Sequence, residues 1–458
     1  MLLLRFSRRR AFPGHARLGA SVHCAPRRTI VSKAPTVLVQ GKTFPTDSHT
    51  NITPTIISKI PRKLHLTSAH PLNTLRQLIE SSFPKFTALS SLDPLVTPAQ
   101  NFDDLGFPAD HPGRSLTDSY YINKDMMLRT HTSAHEVETF RKGIERWLLI
   151  ADVYRRDEID ASHHPVFHQV EGARTFDLTT PVGIKALEGE NAKMEAALTR
   201  SNIEIEDTTE VGAENPFQAT HDEYQAGLVM ANLKHHLNGL ILRLFGGVMT
   251  KEEGPLKVRW IPAYFPWTSP SYEVEVFFQG KWLEILGCGV VQNDTLVRSG
   301  VENRLAWAFG LGLERIAMVL FKVPDIRLFW SEDPRFLSQF EQGKITSFKP
   351  YSKYPPCWRD ISLWVDVDTP RISWKGVIEE ARPFHENDFC DVVRDTAGDL
   401  VENVELTDEF IHPKTGRRSV CYRINYRSMD RSLSNEEVNV IHSRVEQNLL
   451  KTLAVEVR

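Results

Sequence analysis

No stretch of the sequence approaches the ~18 consecutive apolar residues that a membrane-spanning helix needs, and a soluble chain is expected. Cysteine is scarce: five in 458 residues (Cys24, Cys288, Cys357, Cys390, Cys421), with no C-x-x-C pair and no histidine at ligand spacing. That excludes a structural zinc site and a disulfide framework, and it fits a reducing compartment. His221, His235 and His236 lack a carboxylate or cysteine partner at ligand spacing, so no metal is assigned to them. Acidic residues are missing from the first 46 positions, which hold nine Lys and Arg. An Arg-rich, acid-free start with apolar Met1 to Leu4, Phe6 and Phe12 reads as a mitochondrial transit peptide. Its apolar part is too short and too interrupted for a secretory signal.

Setting those nine aside leaves 46 Lys and Arg against 58 Asp and Glu, a balance of −12 from Asp47 onward. An acidic body argues against indiscriminate binding to nucleic acid, which is driven by neutralising phosphates. An RNA partner would have to meet a local basic patch. The length suits two domains, with room for a third element. Charged residues at 25% and hydrophobic ones at 41% are ordinary for a globular enzyme.

The chain is organised around Leu128 to Gly172. Val137, Phe140, Ile144 and Trp147 to Leu149 recur at helical spacing, which predicts an amphipathic helix from His135 to about Arg146. Ile150 to Tyr154 reads as a short strand ending at two arginines, and Arg156 to Pro165 as a polar loop. Val166 to Gly172 then returns as a second strand. Its period of two puts Phe167, Gln169 and Glu171 on one face: an aromatic plate, an amide and a carboxylate. An arginine at the mouth of such a hairpin can grip a phosphate with its planar fork of donors. A second signal lies at Phe309 to Met318, where glycines precede a helix whose first turn holds Glu314 and Arg315.

An Arg-bearing hairpin followed by a glycine-rich strand into an Arg-bearing helix resembles motifs 2 and 3 of the class II aminoacyl-tRNA synthetases. The strings Arg129 to Ser133, Phe167 to Gly172 and Tyr264-Phe265-Pro266 resemble the phenylalanyl-tRNA synthetases, over roughly Leu64 to Arg458. The single-chain layout resembles that family's mitochondrial form. The resemblance implies that Arg155 holds the ATP α-phosphate and the amino acid carboxylate, with His163 a second phosphate contact. It implies that Arg315 holds the γ-phosphate, that Phe167 and Arg315 sandwich the adenine, and that Asp157 accepts from its amino group. Glu284 is the candidate carboxylate for Mg2+ bridging the phosphates. His131, Thr132, Ser133, Ala134, His135, Gln169 and Glu171 are implied to receive the head of phenylalanine. Phe265 and Trp267 would pack its ring, with Ala308 and Phe309 beyond. Trp267 departs from the Phe that bacterial relatives generally carry, and Glu136 stands near a position where they tend to have Gln.

Along the remaining chain, Asp47 to Pro61 reads as a polar tether, and His70 to Phe83 as a helix with Leu75, Leu78 and Ile79 on one face. Asn101 to Asp103 and His111 to Arg114 match the motif 1 region, either ordering a loop or touching substrate. Tyr120 to Ile122 and Met126 to Arg129 read as strands. Lys185 to Thr220 lacks a firm period and is expected to be an exposed insertion with a short helix near Leu187 to Thr199. His221 to Phe245 is a clear helix closed by Gly246-Gly247. Lys257 to Ile261, Ser271 to Phe278 and Lys281 to Leu286 alternate as strands, the last two joined at Gln279-Gly280. Phe321 to Pro356 reads as a connector.

From Asp360 onward the order is strand, helix (Glu386 to Ala397), two strands (Val401 to Glu409, Ser419 to Tyr426), helix (Asn435 to Leu450, with a Ser434/Glu437 capping box) and strand. That is the ferredoxin-like β-α-β-β-α-β split, which ends phenylalanyl-tRNA synthetases as an anticodon-binding domain. Lys414, Arg417, Arg418, Arg423, Arg427 and Arg431, opposed within that run only by Asp430, supply the basic patch that an RNA partner requires.

The expected fold class is α+β: a class II antiparallel sheet flanked by helices, plus a C-terminal ferredoxin-like domain. The expected division is a leader (1–46), a catalytic domain (47–320), a connector (321–348) and an anticodon-binding domain (349–458). The implied activity joins phenylalanine to mitochondrial tRNA(Phe) through an adenylate, with ATP and Mg2+, as a monomer in the mitochondrial matrix, with no membrane partner. No stretch is left over for an editing module. A ligase adenylating another acid, as biotin ligases do, lacks the terminal unit. A catalytically inactive paralogue acting as an RNA-binding module is opposed by the retention of Arg155 and Arg315.

Overall fold

A computed structural model describes residues 35–247, 254–350, 354–365, 371–372, 378–379, 384–453 and 455–458. Most of the expected leader lies outside these residues. An eight-stranded sheet carries the fold, in the order Thr87–Leu89, Arg146–Tyr154, Val166–Phe176, Leu305–Gly312, Lys281–Val291, Thr268–Phe278, Leu256–Phe265, Ile203–Asp207. All pairings are antiparallel except the two outermost. The run from Trp147 to Tyr154 is buried on both faces, so it reads as unbroken apolar sequence. This corrects the expected helix: only Glu136–Arg141 is α-helical, Gly143 follows at φ +74°, and Trp147 to Leu149 belong to the strand.

Alternation along the strands separates two functions. Leu148, Ile150, Val170, Trp307 and Phe309 pack in one core with Leu72, Leu75, Ile79, Leu233, Leu237, Ile241 and Ile316, the apolar sides of Pro71–Ser82, Glu223–Phe245 and Leu313–Leu320. Each such side chain, fully buried, contributes about 1.5–3 kcal/mol. The opposite face presents Phe167, Gln169 and Glu171 to a cavity. At Gln279-Gly280, positive φ at both residues makes the tight turn that joins two long strands.

Three expectations of organisation are corrected and a fourth is extended. Thr36–Val39 and Lys42–Pro45 form a hairpin whose Val37 and Val39 enter the main core, and Asn123 Nδ2 donates to the Pro45 carbonyl (3.0 Å). The folded body therefore starts by Thr36 rather than Asp47. Residues 47–61 are no tether, because Ile52, Ile56 and Ile60 are buried and Thr53 caps the helix Pro54–Lys59. Lys185 to Thr220 is largely exposed, as expected, but its helix is longer: Pro181–Thr199 is pinned by Arg174–Glu190 and by Asn191, and Ile203–Asp207 adds an edge strand. Phe321, Phe329, Phe336, Phe340 and Phe348 likewise sit in the main core, so the connector is part of the first domain.

In the second unit, Val401–Ile411, Arg418–Tyr426, Cys357–Val365 and Val455–Val457 form an antiparallel sheet in that order. Glu386–Ala397 and Asn435–Thr452 cover it through Phe389, Val393, Val438, Val445 and Leu449. Of the expected capping box, the Ser434 half forms (Glu437 N donating to Oγ, 3.2 Å), while the Glu437 carboxylate pairs with Arg431 instead.

Candidate active site

The central hairpin pairs Asp152 with His168, Val153 with Phe167 and Tyr154 with Val166. Arg155 N donating to the Pro165 carbonyl (3.0 Å) closes its loop. Two adjacent arginines then part company. The Arg155 side chain is exposed, its Nε donates to the Thr130 carbonyl (2.9 Å), and its guanidinium lies 5.2 Å from the centre of the Phe167 ring. Arg156 turns inward to Asp388 (2.9 Å) and Asp391 (2.5 Å) of the second unit. Arg394 Nη2 donates to the Asp157 carbonyl (2.8 Å) and Val404 N to that of Ile159 (3.0 Å). The loop carrying Arg155, Asp157 and His163 is thus held by the C-terminal unit, which the sequence reading missed. His163 pairs with Asp160 (2.7 Å), and that bond raises its pKa.

Glu314 accepts from both the backbone N–H of His168 (2.8 Å) and its Nδ1 (2.6 Å). This buried clamp ties the start of Leu313–Leu320 to the return strand and sets the next residue, Arg315, at the cavity mouth. Arg315 meets Glu284 across that mouth at 3.3 Å. Phe167 therefore has Arg155, not Arg315, over its ring in this structure. Glu273 stands near Glu284, its carboxyl pushed up by burial and then by Glu284 and Glu275. Among the described residues no three metal-ligating side chains group together.

Deeper in, Thr132 N donates to Gln169 Oε1 (3.3 Å), and the hydroxyls of Thr132 (2.8 Å) and Ser133 (2.7 Å) both donate to Glu171 Oε2. His131 is buried with neither ring nitrogen partnered among the described residues, and burial lowers its pKa to about 3. Ala134 and His135, expected in the site, lie behind it. Ala134 packs with Phe102, Tyr121 and Met127, and His135 Nε2 sits 3.0 Å from Arg129 Nη1. Asn101 exchanges two hydrogen bonds with Thr130 (2.9 and 3.0 Å), and Arg114 pairs with Asp103 (2.7 Å), so these motif 1 residues order the loop.

The far end is aromatic. His131 and Trp267 stack at 5.8 Å, Trp267 and Phe265 at 5.7 Å, and Phe107 covers both His131 (5.6 Å) and Trp267 (5.1 Å). Phe107 sits in an aperiodic loop, and no pattern in the sequence marks it. Gly287 makes room for Phe265, whose ring would lie 2.6 Å from an added Cβ. Ala308 lines the cavity. Phe309 also lines the cavity, and because adjacent strand residues point to opposite faces its ring stacks on Phe83 at 5.4 Å in the helix-covered core. It supports the pocket wall from behind. The whole cavity measures about 770 Å³, within the ~300–1,000 Å³ range of ligand pockets.

A cationic mouth, a polar middle and an aromatic end suit an activated aromatic amino acid, and comparison with known proteins agrees. The model of the class II core domain of tRNA synthetases (F) matches residues 56–200 and 217–340. That of the ferredoxin-fold anticodon binding domain matches 352–458. The mitochondrial phenylalanine–tRNA ligase of Saccharomyces cerevisiae is 46% identical over 93% of this chain and 96% of its own length. That of Mus musculus is 43% identical over 95% and 92%, and the chloroplastic/mitochondrial ligase of Arabidopsis thaliana 45% over 90% and 83%. The chain belongs to the phenylalanine–tRNA ligases.

A ligase of this family needs a surface for RNA, and the expected basic patch looks different in three dimensions. Arg417 pairs with Glu456 (2.9 Å), Arg418 with Glu409 (2.8 Å), Arg423 with Asp360 (2.8 Å) and Arg427 with Glu402 (2.8 Å). These acids come from other strands, outside the run from Lys414 to Arg431, so a count within that run could not see them. Lys414 is exposed at the turn.

Proposed function

We propose that this protein ligates L-phenylalanine to mitochondrial tRNA(Phe) in two steps, by way of phenylalanyl-adenylate. The phenylalanine carboxylate attacks the α-phosphorus of ATP and the bond to pyrophosphate breaks; a ribose hydroxyl of the tRNA then takes the acyl group and AMP leaves. No covalent enzyme intermediate is involved, so the protein's work is positioning and charge stabilisation. The carrying observation is the single cavity with Arg155 and Arg315 at its mouth, Gln169 and Glu171 in its middle, and Phe265, Trp267 and Ala308 at its end.

In this reading the phenylalanine ammonium is received by Glu171 and Gln169, with Thr132, Ser133 and His131 around it. Arg155 takes the α-phosphate and the substrate carboxylate, with His163 beside it. Arg315 takes the γ-phosphate. Asp157 and Phe167 receive the adenine, with Arg155 already over the Phe167 ring. Glu284, which pairs with Arg315 across the mouth, would hold a Mg2+ ion arriving with ATP once Arg315 turns to its phosphate, and that ion would supply charge neutralisation there. Arg417, Arg418, Arg423 and Arg427 would contact tRNA by exchanging their carboxylates for phosphates, with exposed Lys414 beside them. The acid-free leader directs the chain to the mitochondrion, specifically the matrix, where it acts as a monomer. No helix among the described residues is long and apolar enough to cross a membrane.

The test is pyrophosphate exchange run with each of the twenty amino acids. Exchange driven by phenylalanine far above the others is expected. Exchange driven by none would overturn this reading.

A further inference from the structure

Beneath the middle of the cavity lies a charge problem that the reaction does not explain. Glu136, the first residue of the helix Glu136–Arg141, is wholly buried, and neither of its carboxyl oxygens has a hydrogen-bond partner among the described residues. Glu171 is 3% exposed; its Oε2 accepts from Thr132 and Ser133, while its Oε1 has no partner. A carboxylate only accepts, so two ionised groups here would leave three oxygens desolvated and two like charges facing each other. Protonating one of them turns an acceptor into a donor and removes the repulsion. Burial, then Glu171, pushes Glu136 well above the ordinary range of a glutamate, and burial raises Glu171 to about 7.

Among the described residues, no other group nearby supplies the missing proton or positive charge. His131 and His135 are held neutral by burial, at about 3 and about 4. Arg129 is bound to Asp152 (2.5 Å), and Arg155 to the Thr130 carbonyl. On the opposite face of the return strand, His168 is engaged by Glu314. The opposite strand offers only Gly310 across from Glu171.

We propose that Glu136 is a positioning residue that keeps its own proton beneath the pocket, so that the phenylalanine ammonium selects the ionised form of Glu171 and its binding expels the proton that Glu171 otherwise holds. This rests on the reading that Glu171 receives the substrate ammonium. The sign follows from the raised pKa of Glu171. Above about pH 7 it is already ionised and ready. Below that, each bound phenylalanine must displace a proton, and affinity falls by about tenfold per pH unit at the limit. Because the two carboxyls titrate together, the apparent value belongs to the pair.

Two measurements test this. Calorimetric titration of the wild-type protein with phenylalanine at about pH 6.5, in two buffers of different ionisation enthalpy, reads the protons released. Release of more than about half a proton per phenylalanine is expected. The second is the KM for phenylalanine in pyrophosphate exchange, from about pH 5.5 to about pH 8, for wild type and Glu136→Gln. The amide is isosteric with the protonated carboxyl, equally uncharged and equally able to donate to Glu171 Oε1. The rise in KM should therefore begin within about half a pH unit of the same point in the variant. Phenylalanine binding without proton release, or an onset displaced by about one pH unit or more in Glu136→Gln, overturns the proposal. Absence of phenylalanine binding at every pH removes the functional reading itself, and this inference with it.

Discussion

Asp391→Asn tests how the second unit grips the central loop. The Asp391 carboxylate accepts from Tyr120 Oη (2.9 Å), Arg156 Nε (2.5 Å) and Arg394 Nη1 (2.6 Å), and Asp388 accepts from Arg156 (2.9 Å). All four charged side chains are at most 8% exposed. Two cations thus face two anions out of water. The amide removes one anion and turns its own N–H group toward a guanidinium, leaving Arg156 and Arg394 to share Asp388. Removing one partner of a buried pair costs about 3–5 kcal/mol, most of it for the charge left behind. Denaturant titration of wild type, Asp391→Asn, Arg156→Gln and the double variant would close a cycle, with a coupling of up to ~3 kcal/mol. The loop should also feel it, because Arg394 holds the Asp157 carbonyl and Ile159 lies in the second unit's core. Backbone amides from Arg155 to His164 should exchange faster with solvent. A cost within about 0.5 kcal/mol, the scale of an ordinary surface change, would refute the argument.

Arg155→Ala and Arg315→Ala should each slow pyrophosphate exchange on the scale of about 2.7–4 kcal/mol, that of one lost preorganised donor, and a change of only a few-fold would reject the phosphate assignments. A chain begun at Asp47 should unfold several degrees below one begun at Pro35 in calorimetry, since it loses Val37 and Val39 at about 1.5–3 kcal/mol each. Ending the chain before Lys349 should abolish charging of tRNA and also lower adenylate formation, because Arg156 loses Asp388 and Asp391; adenylation at the wild-type rate would show that the loop holds itself. Ala308→Gly should lower the KM for para-substituted phenylalanines relative to phenylalanine, and an unchanged ratio would place the ring elsewhere.

What the sequence made legible was local. The hairpin face of Phe167, Gln169 and Glu171 follows from a period of two, and Arg315 from a glycine-bearing strand entering a helix. Both stand where that reasoning puts them. The helix Glu386–Ala397 forms with the bounds expected of it. What failed was whatever depended on distant partners. Trp147 to Leu149 fit a helical stripe as well as a doubly buried strand, and only the neighbours on either side decide. The C-terminal arginines looked unopposed because their acids lie on other strands. The helix after Asp177 runs longer than its weak period suggested, because an exposed helix needs few apolar residues when Asn191 and Glu190 anchor it. Ala308 and Phe309 were adjacent in the string, and alternation sends them to opposite sides of the sheet.

The same dependence on partners sorts the arginines by purpose. Arg129 lies on Asp152, Arg156 on Asp388 and Asp391, and Arg327 on Asp325 (2.7 Å), all buried with close carboxylates; each would be costly to disengage. Arg155 donates only to a neutral carbonyl, and Arg315 shares an exposed contact at 3.3 Å in which both side chains are more than half accessible. An exposed pair of that kind is worth about 0–1 kcal/mol. A triphosphate brings several negative oxygens into the cavity mouth and can outbid such partners with bidentate, charge-assisted bonds. Of the three arginines that line the cavity, Arg155 and Arg315 are engaged more weakly than Arg156 and are therefore the two best placed to change partners on binding ATP. Arg155 and Arg156 are adjacent in sequence and chemically identical, yet one holds the loop and the other is left available to substrate.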